Sequence, residues 1–176
     1  VRTRANAGDA NAQYNLGMMY AAGLDSVEAV AWFRQAAEQG HAEAQYNLGL
    51  MYDDGEGVPL DFGEAAAWYR QAAEQGHASS QYTLGVMYAA GHGTAQDETE
   101  AIEWYRRAAA QGHTEAGVGV RLEAEQGLAN AQVALGGMYA SGEGAVPNAA
   151  EAVQGYRTAA EQGDLVAQAT LGDIYA

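Results

Sequence analysis

Residues 41–76 read HAEAQYNLGLMYDDGEGVPLDFGEAAAWYRQAAEQG, and residues 77–112 repeat that pattern at a spacing of 36. A further copy, with more drift, occupies 128–163. A period of this size marks an array of helical hairpins. One such unit is too small to bury its own apolar face, so it must stack on its neighbours. The first half of the unit reads as a helix, because Ala44, Leu48 and Met51 recur at i, i+4 and i+7 with Tyr52 beside them. Gly49 costs about 1 kcal/mol against alanine inside a helix. Glycine nevertheless returns at Gly17, Gly85, Gly136 and Gly172, which implies a helix–helix contact that a side chain would block. The turn DDGEGVP, residues 53–59, stops the first helix. A second helix opens on Asp61, with Glu64 three residues on, the pattern of a capping box. The pattern recurs at Asp25/Glu28, Asp97/Glu100 and Asn148/Glu151. Ala65, Trp68, Tyr69, Ala72 and Ala73 form its inward face, and Gly76 ends it.

Through Ala44, Gln45, Leu48, Gly49, Tyr52, Gly55, Gly57, Val58, Pro59, Asp61, Ala65, Trp68, Tyr69, Ala72, Ala73 and Gly76 the unit resembles a Sel1-like repeat, a relative of the tetratricopeptide repeat. The likeness is closest in 41–76 and 77–112, good in 9–40 and 128–163, and reaches nearly the whole chain. It implies an all-α, right-handed solenoid of stacked antiparallel helix hairpins. It also implies a non-catalytic adaptor of the kind found in bacterial secretion, envelope and signalling systems.

The remainder of the chain follows this template. Residues 1–8 resemble the end of a second helix from an upstream unit. Residues 9–40 form a first hairpin with a shortened turn, AAGLDS, and keep Leu16, Tyr20, Ala29, Trp32 and Phe33. Regularity fails at 113–127, which opens like a first helix and closes like a second. A single short helix there, weakened by Gly117 and Gly119, would reverse the direction of the next hairpin. In 128–163 the tryptophan position is Gly155, so less packing is expected there. Residues 164–176 supply one more first helix.

The formal net charge is −15, and all 8 basic residues are arginines. Such a surface lacks the cations that nucleic-acid backbones and anionic membranes require and suits a basic partner or simple solubility. With 0 cysteines there is neither a disulfide framework nor a thiolate metal site. No 18-residue apolar run occurs and the N-terminus does not read as a signal peptide; cytoplasm and periplasm both stay open.

Chemistry is sparse. His41, His77 and His113 recur one per unit, too far apart to share a metal, and read as junction residues that pack or start a helix. The GEG and GHG turns lack the lysine of a P-loop and the strand of a dinucleotide fingerprint. Asp53, Asp54 and Glu56 lack the ligand spacing of a calcium loop. No cofactor, metal or catalytic residue is expected. The resemblance to tetratricopeptide repeats instead implies a site on a concave face of first helices, carrying Asn11, Tyr14 and Met18, then Glu43, Tyr46, Leu50, Asp53 and Asp54, then Ser79, Tyr82 and Val86. Tyr14, Tyr46 and Tyr82 make a ladder that suits either binding or packing between helices. The partner expected is a protein or peptide, with a lysine- or arginine-bearing segment favoured by the acids. A module for envelope polysaccharide or peptidoglycan is the alternative, and a hydrolase a distant one.

Overall fold

A computed structural model describes residues 1–176. It is built of helices without a strand: α1 (Arg2–Asn6), α2 (Ala10–Ala22), α3 (Ser26–Glu38), α4 (Ala42–Asp54), α5 (Phe62–Glu74), α6 (Ala78–Ala90), α7 (Glu98–Ala110), α8 (Thr114–Glu125), α9 (Ala129–Ser141), α10 (Ala149–Glu161) and α11 (Leu165–Tyr175). They form two compact units, Val1–Gln96 and Asp97–Ala176.

In the first unit, α2 pairs with α3 and α4 with α5, while α3 packs on α4 and α5 on α6. The core is largely alanine, punctuated by larger residues: Leu16, Phe33, Leu48, Tyr69 and Leu84 are all buried, as are Met51 and Met87. Gly17 and Gly49 explain themselves at this seam. A Cβ on Gly49 would lie 2.6 Å from the Tyr69 ring, and one on Gly17 2.7 Å from Phe33. The tryptophans are less uniform than expected. Trp104, in the second unit, is buried, whereas Trp32 and Trp68 are half-buried at the edge of their clusters. Tyr69, not Trp68, sits at 0 % exposure.

Capping also departs from expectation. Asp61 accepts from the amides of Gly63 and Glu64, both at 3.0 Å. Its own amide donates to the carbonyl of Tyr52 at 2.9 Å. Glu64 therefore has no cap amide to accept from, and it serves the helix start by charge alone. The same substitution occurs at Asp25, which donates to Tyr20, and at Asn148, which donates to Tyr139. At these three caps the reciprocal half of the box is thus replaced by a bond across the turn.

Between repeats runs a ladder of buried glutamines. Gln45 donates its side-chain amide to the carbonyl of Ala37, at the end of the preceding second helix, at 3.0 Å. Its own oxygen accepts from Gln75 at 2.6 Å. Gln13 and Gln132 do the same with Ala5 and Ala124, and accept from Gln39 and Gln162. Carbonyls at helix ends lack intrahelical donors; Ala5, Ala37 and Ala124 each accept from the amide of the glycine three residues on, and the ladder adds a second, side-chain donor.

In the second unit α8 packs on both α7 and α9, and α9 reaches α7 as well. Ile102, Ala124 and Ala131, from three successive helices, form one cluster. The glycines that weaken α8 allow this closeness. A Cβ on Gly119 would lie 3.1 Å from the Tyr105 ring, and one on Gly117 2.9 Å from the carbonyl of Gly144. The reversal is visible in the turns. In the first unit Gly57 (φ 73°) lies against Ser26, at the start of α3, where a Cβ would come within 2.3 Å of backbone. Gly144, its counterpart after α9, instead lies against Ala109, at the end of α7. One helix in place of two presents the next turn to the opposite end of its neighbour.

Gly155 leaves less of a gap than the loss of an indole suggests. α10 closes on α9 so far that a Cβ there would lie 2.9 Å from the Gln132 carbonyl and 3.3 Å from Gly136 Cα. Helix approach replaces part of the missing side chain, and an open hollow of about 260 Å³ bordered by Leu135, Tyr139 and Thr158 remains.

Candidate functional site

The first-helix face is set by α2, α4 and α6 in the first unit. Each helix starts from a residue that caps it with a side chain: Asp9 for α2, His41 for α4, His77 for α6. His41 Nδ1 accepts from the Ala44 amide, and His77 Nδ1 from the Ser80 amide, both at 3.2 Å. Nδ1 is thereby the acceptor, so Nε2 carries the proton. It donates to Asn11 Oδ1 from His41 and to Glu43 Oε2 from His77, each at 3.1 Å. Asn11 and Glu43 are exposed, as expected for this face, and each also orients the cap of the following first helix.

Two rungs of the tyrosine ladder share one environment. Tyr14 stacks on His41 with ring centroids 4.8 Å apart and an interplanar angle of 21°, and it tilts against Phe33 at 6.0 Å. Tyr46 lies 4.8 Å from His77 and 5.7 Å from Tyr69. Both are wedged between the aromatic residue of their own second helix and the histidine of the next repeat. Tyr14, Tyr46 and Tyr82 are all half-buried. The hydroxyls of Tyr14 and Tyr46 titrate above the usual tyrosine value, mainly through burial and secondarily through the Glu43 charge.

The other positions divide. Met18 and Val86 are exposed apolar side chains, and Ser79 is half-buried. Leu50 is not outward: it is half-buried against the cluster of Ala65, Ala66, Tyr69 and Met87, because the next repeat's helix covers that side of α4. Asp54 is exposed, while Asp53 is half-buried. Burial, then the neighbouring Asp54, raises the Asp53 carboxyl above the ordinary range. Nowhere do three histidine or acidic side chains converge as metal ligands. No helix is long and apolar enough to cross a membrane.

The sequence reading missed a second recurring contact. Arg34 Nη2 donates to the Tyr52 hydroxyl at 2.5 Å, and its guanidinium lies 5.6 Å from that ring's centroid. Arg70 engages Tyr88 likewise, and Arg157 reaches Tyr175 at 3.1 Å. A spacing of 18 residues was the available signal. Arg106 shows the rule by exception: eighteen residues on stands Ala124, and Arg106 pairs with Glu103 instead.

Repeated helix hairpins presenting tyrosines and acids on one face define an α-hairpin repeat protein. The chain belongs to the Sel1 repeat family, whose model matches residues 10–41, 42–77, 78–113 and 129–164. No curated protein sequence matches it. Among solved structures it is similar to a protective antigen present in uropathogenic Escherichia coli strains, with 39% identity and a TM-score of 0.61 over 99% of this chain. The chain spans 35% of that antigen's length. A Sel1 repeat protein from Oxalobacter formigenes is 35% identical with a TM-score of 0.56, the match covering 96% of this chain and 79% of that one. The repeat family and the stacked helix-hairpin fold agree with each other.

Proposed function

We propose that the chain is an interaction scaffold whose concave first-helix face, from Asn11 to Val86, receives a basic segment of a polypeptide. The observation that carries this reading is the composition of α4. On the side not covered by its neighbours it displays Glu43, the free part of Tyr46, Asp53 and Asp54, in a chain of net charge −15. Tyrosine supplies contact area at low entropic cost, and the acids steer a cationic partner. Polysaccharide recognition is less favoured. The indole N–H groups of Trp32, Trp68 and Trp104 are all covered, so no tryptophan platform with a free polar edge is presented.

The test begins with recovery of a partner from the native host by the whole chain, followed by calorimetry with the purified partner. Tyr46→Ala and Tyr82→Ala should each weaken binding by about 1–2 kcal/mol. Asp53→Asn with Asp54→Asn should slow association and flatten its salt dependence. Circular dichroism melts accompany each variant, since Tyr46 also packs on His77 and Tyr69. Unchanged affinity in both tyrosine variants would end this reading of the face.

A further inference from the structure

One repeat lacks the side chain its seat is shaped for. In 9–40 the Trp32 ring packs on Ala5, Ala12 and Leu16, with Tyr20 beside it. In 41–76 the Trp68 ring packs on the cluster that holds Ala37, Ala44 and Leu48, with Tyr52 beside it. The same four places in 128–163 are Ala124, Ala131, Leu135 and Tyr139, and the residue that would supply the ring is Gly155. Ala124, Leu135, Tyr139 and Gly155 all border the open hollow of about 260 Å³. The hollow is therefore an indole seat without an indole. Exposure agrees: Leu16, Leu48 and Leu84 are buried, whereas Leu135 is half-buried.

The repeat cannot refill this seat from its own backbone. A Cβ on Gly155 would stand 2.9 Å from the Gln132 carbonyl oxygen, so any side chain there must push α10 off α9. The remaining way in is from solvent, past a rim of Arg121, Glu125, Glu151 and Gln154, all exposed. An enclosed apolar void suits a free hydrocarbon. An open seat with a polar rim suits a ring that stays tethered to a hydrated chain. Two acids against one arginine make that rim net negative, which matches a segment with a basic residue next to the ring.

We infer that the hollow between α8, α9 and α10 is a socket for the tryptophan side chain of another polypeptide, with a lysine or arginine adjoining it. The incoming ring covers Leu135 and makes the contacts that Trp32 and Trp68 make in their own repeats. Space is sufficient, since a cavity of about 150 Å³ with aliphatic walls already holds benzene. Tryptophan is also among the side chains that most often anchor an interface from such a pocket. Every residue of the socket belongs to the unit Asp97–Ala176, so it stands whether or not the face from Asn11 to Val86 binds anything.

The test is amide and methyl NMR of the whole chain, titrated with acetyl-Trp-Lys-amide. Acetyl-Leu-Lys-amide, acetyl-Trp-Glu-amide and free indole are titrated in parallel. The Trp-Lys peptide should shift the amides of Leu135, Tyr139 and Gly155 at least fivefold more than the leucine peptide does, and more than the glutamate peptide does. Its ring protons should show NOEs to the Leu135 methyls. Thr158→Phe, which fills the hollow from one side, should abolish both effects while the melting temperature stays near that of the parent. Equal shifts with the leucine peptide, no shifts, or shifts that persist in folded Thr158→Phe would overturn the inference. Shifts given by free indole alone would overturn it too, because the site would then be a small-molecule cavity. Equal shifts with the glutamate peptide would overturn the basic neighbour. Should Thr158→Phe fail to fold, the parent's NOEs decide, and their absence refutes the socket.

Discussion

Replacing Gly49 by alanine sets two effects against each other, and the structure decides the sign. Helix propensity alone favours alanine by about 1 kcal/mol. The new Cβ would stand 2.6 Å from Tyr69 Cε1 and 2.7 Å from Cδ1, where carbon atoms normally sit about 3.5–4.0 Å apart. The Tyr69 ring must therefore move by roughly 1 Å, and it is enclosed by Ala65, Ala66, Met87 and Tyr46. Overpacking of this kind costs about 1–3 kcal/mol, so Gly49→Ala should destabilise by on the order of 1 kcal/mol after the propensity gain. Gly172 occupies the same place in its repeat, and nothing lies within 4 Å of a Cβ there. Gly172→Ala should stabilise, by up to about 1 kcal/mol. At this chain length each kcal/mol moves the melting temperature by about 2–4 °C, so thermal circular dichroism of the two variants beside the parent separates them. A Gly49→Ala protein that melts as high as Gly172→Ala would refute the close-contact reasoning.

Gln45→Leu should lower stability by about 1–3 kcal/mol in urea unfolding, because it removes two hydrogen bonds of a buried seam, to the Ala37 carbonyl and from Gln75. Tyr52→Phe and Arg34→Met should each cost about 1 kcal/mol or less, and a double-mutant cycle should show them coupled, since both act through one bond. Two aspartates should respond to acid in opposite senses. The folded Asp53 carboxyl holds its proton more tightly than the unfolded one, so its destabilising effect is full above its folded pKa and vanishes as pH falls to the ordinary 3.8. The advantage of Asp53→Asn over the parent should disappear across that range. Asp9, held low by the Ala12 amide and by Arg4, contributes stability above 3.8 that is lost as pH falls through its folded value. The deficit of Asp9→Asn should therefore shrink on acidification; pH-dependent melts read both.

The hairpin array was legible because one stretch repeats at 36 residues with apolar positions in helical register. The recurring glycine also announced a close contact before any partner was visible. Less legible were features that depend on which neighbour a side chain meets. Leu50 follows the outward spacing of Tyr46, yet the adjoining repeat covers it. Glu64 sits at the correct offset for a capping box, but the cap amide is taken by a carbonyl nine residues back, in the preceding helix. Gly155 looked like an absent side chain until the helices were seen to close over it. Tyr69 read as plain core, and only the Asp53 carboxylate beside its hydroxyl sets it apart from Phe33 of the preceding repeat.

The glutamine ladder has a bearing on how such a chain tolerates editing. Every donor reaches a carbonyl eight residues earlier: Gln13 to Ala5, Gln45 to Ala37, Gln81 to Ala73, Gln132 to Ala124, Gln168 to Ala160. The splice between repeats is thus specified by a short junction rather than by the whole period. α8 illustrates this, since it carries Gly117 in its first turn where a glutamine would stand, yet it ends by offering Ala124 to Gln132 as any second helix does. A helix of unrelated length and middle can be inserted wherever its last turn keeps that acceptor. Loss of half a repeat then turns the next hairpin around without breaking the join.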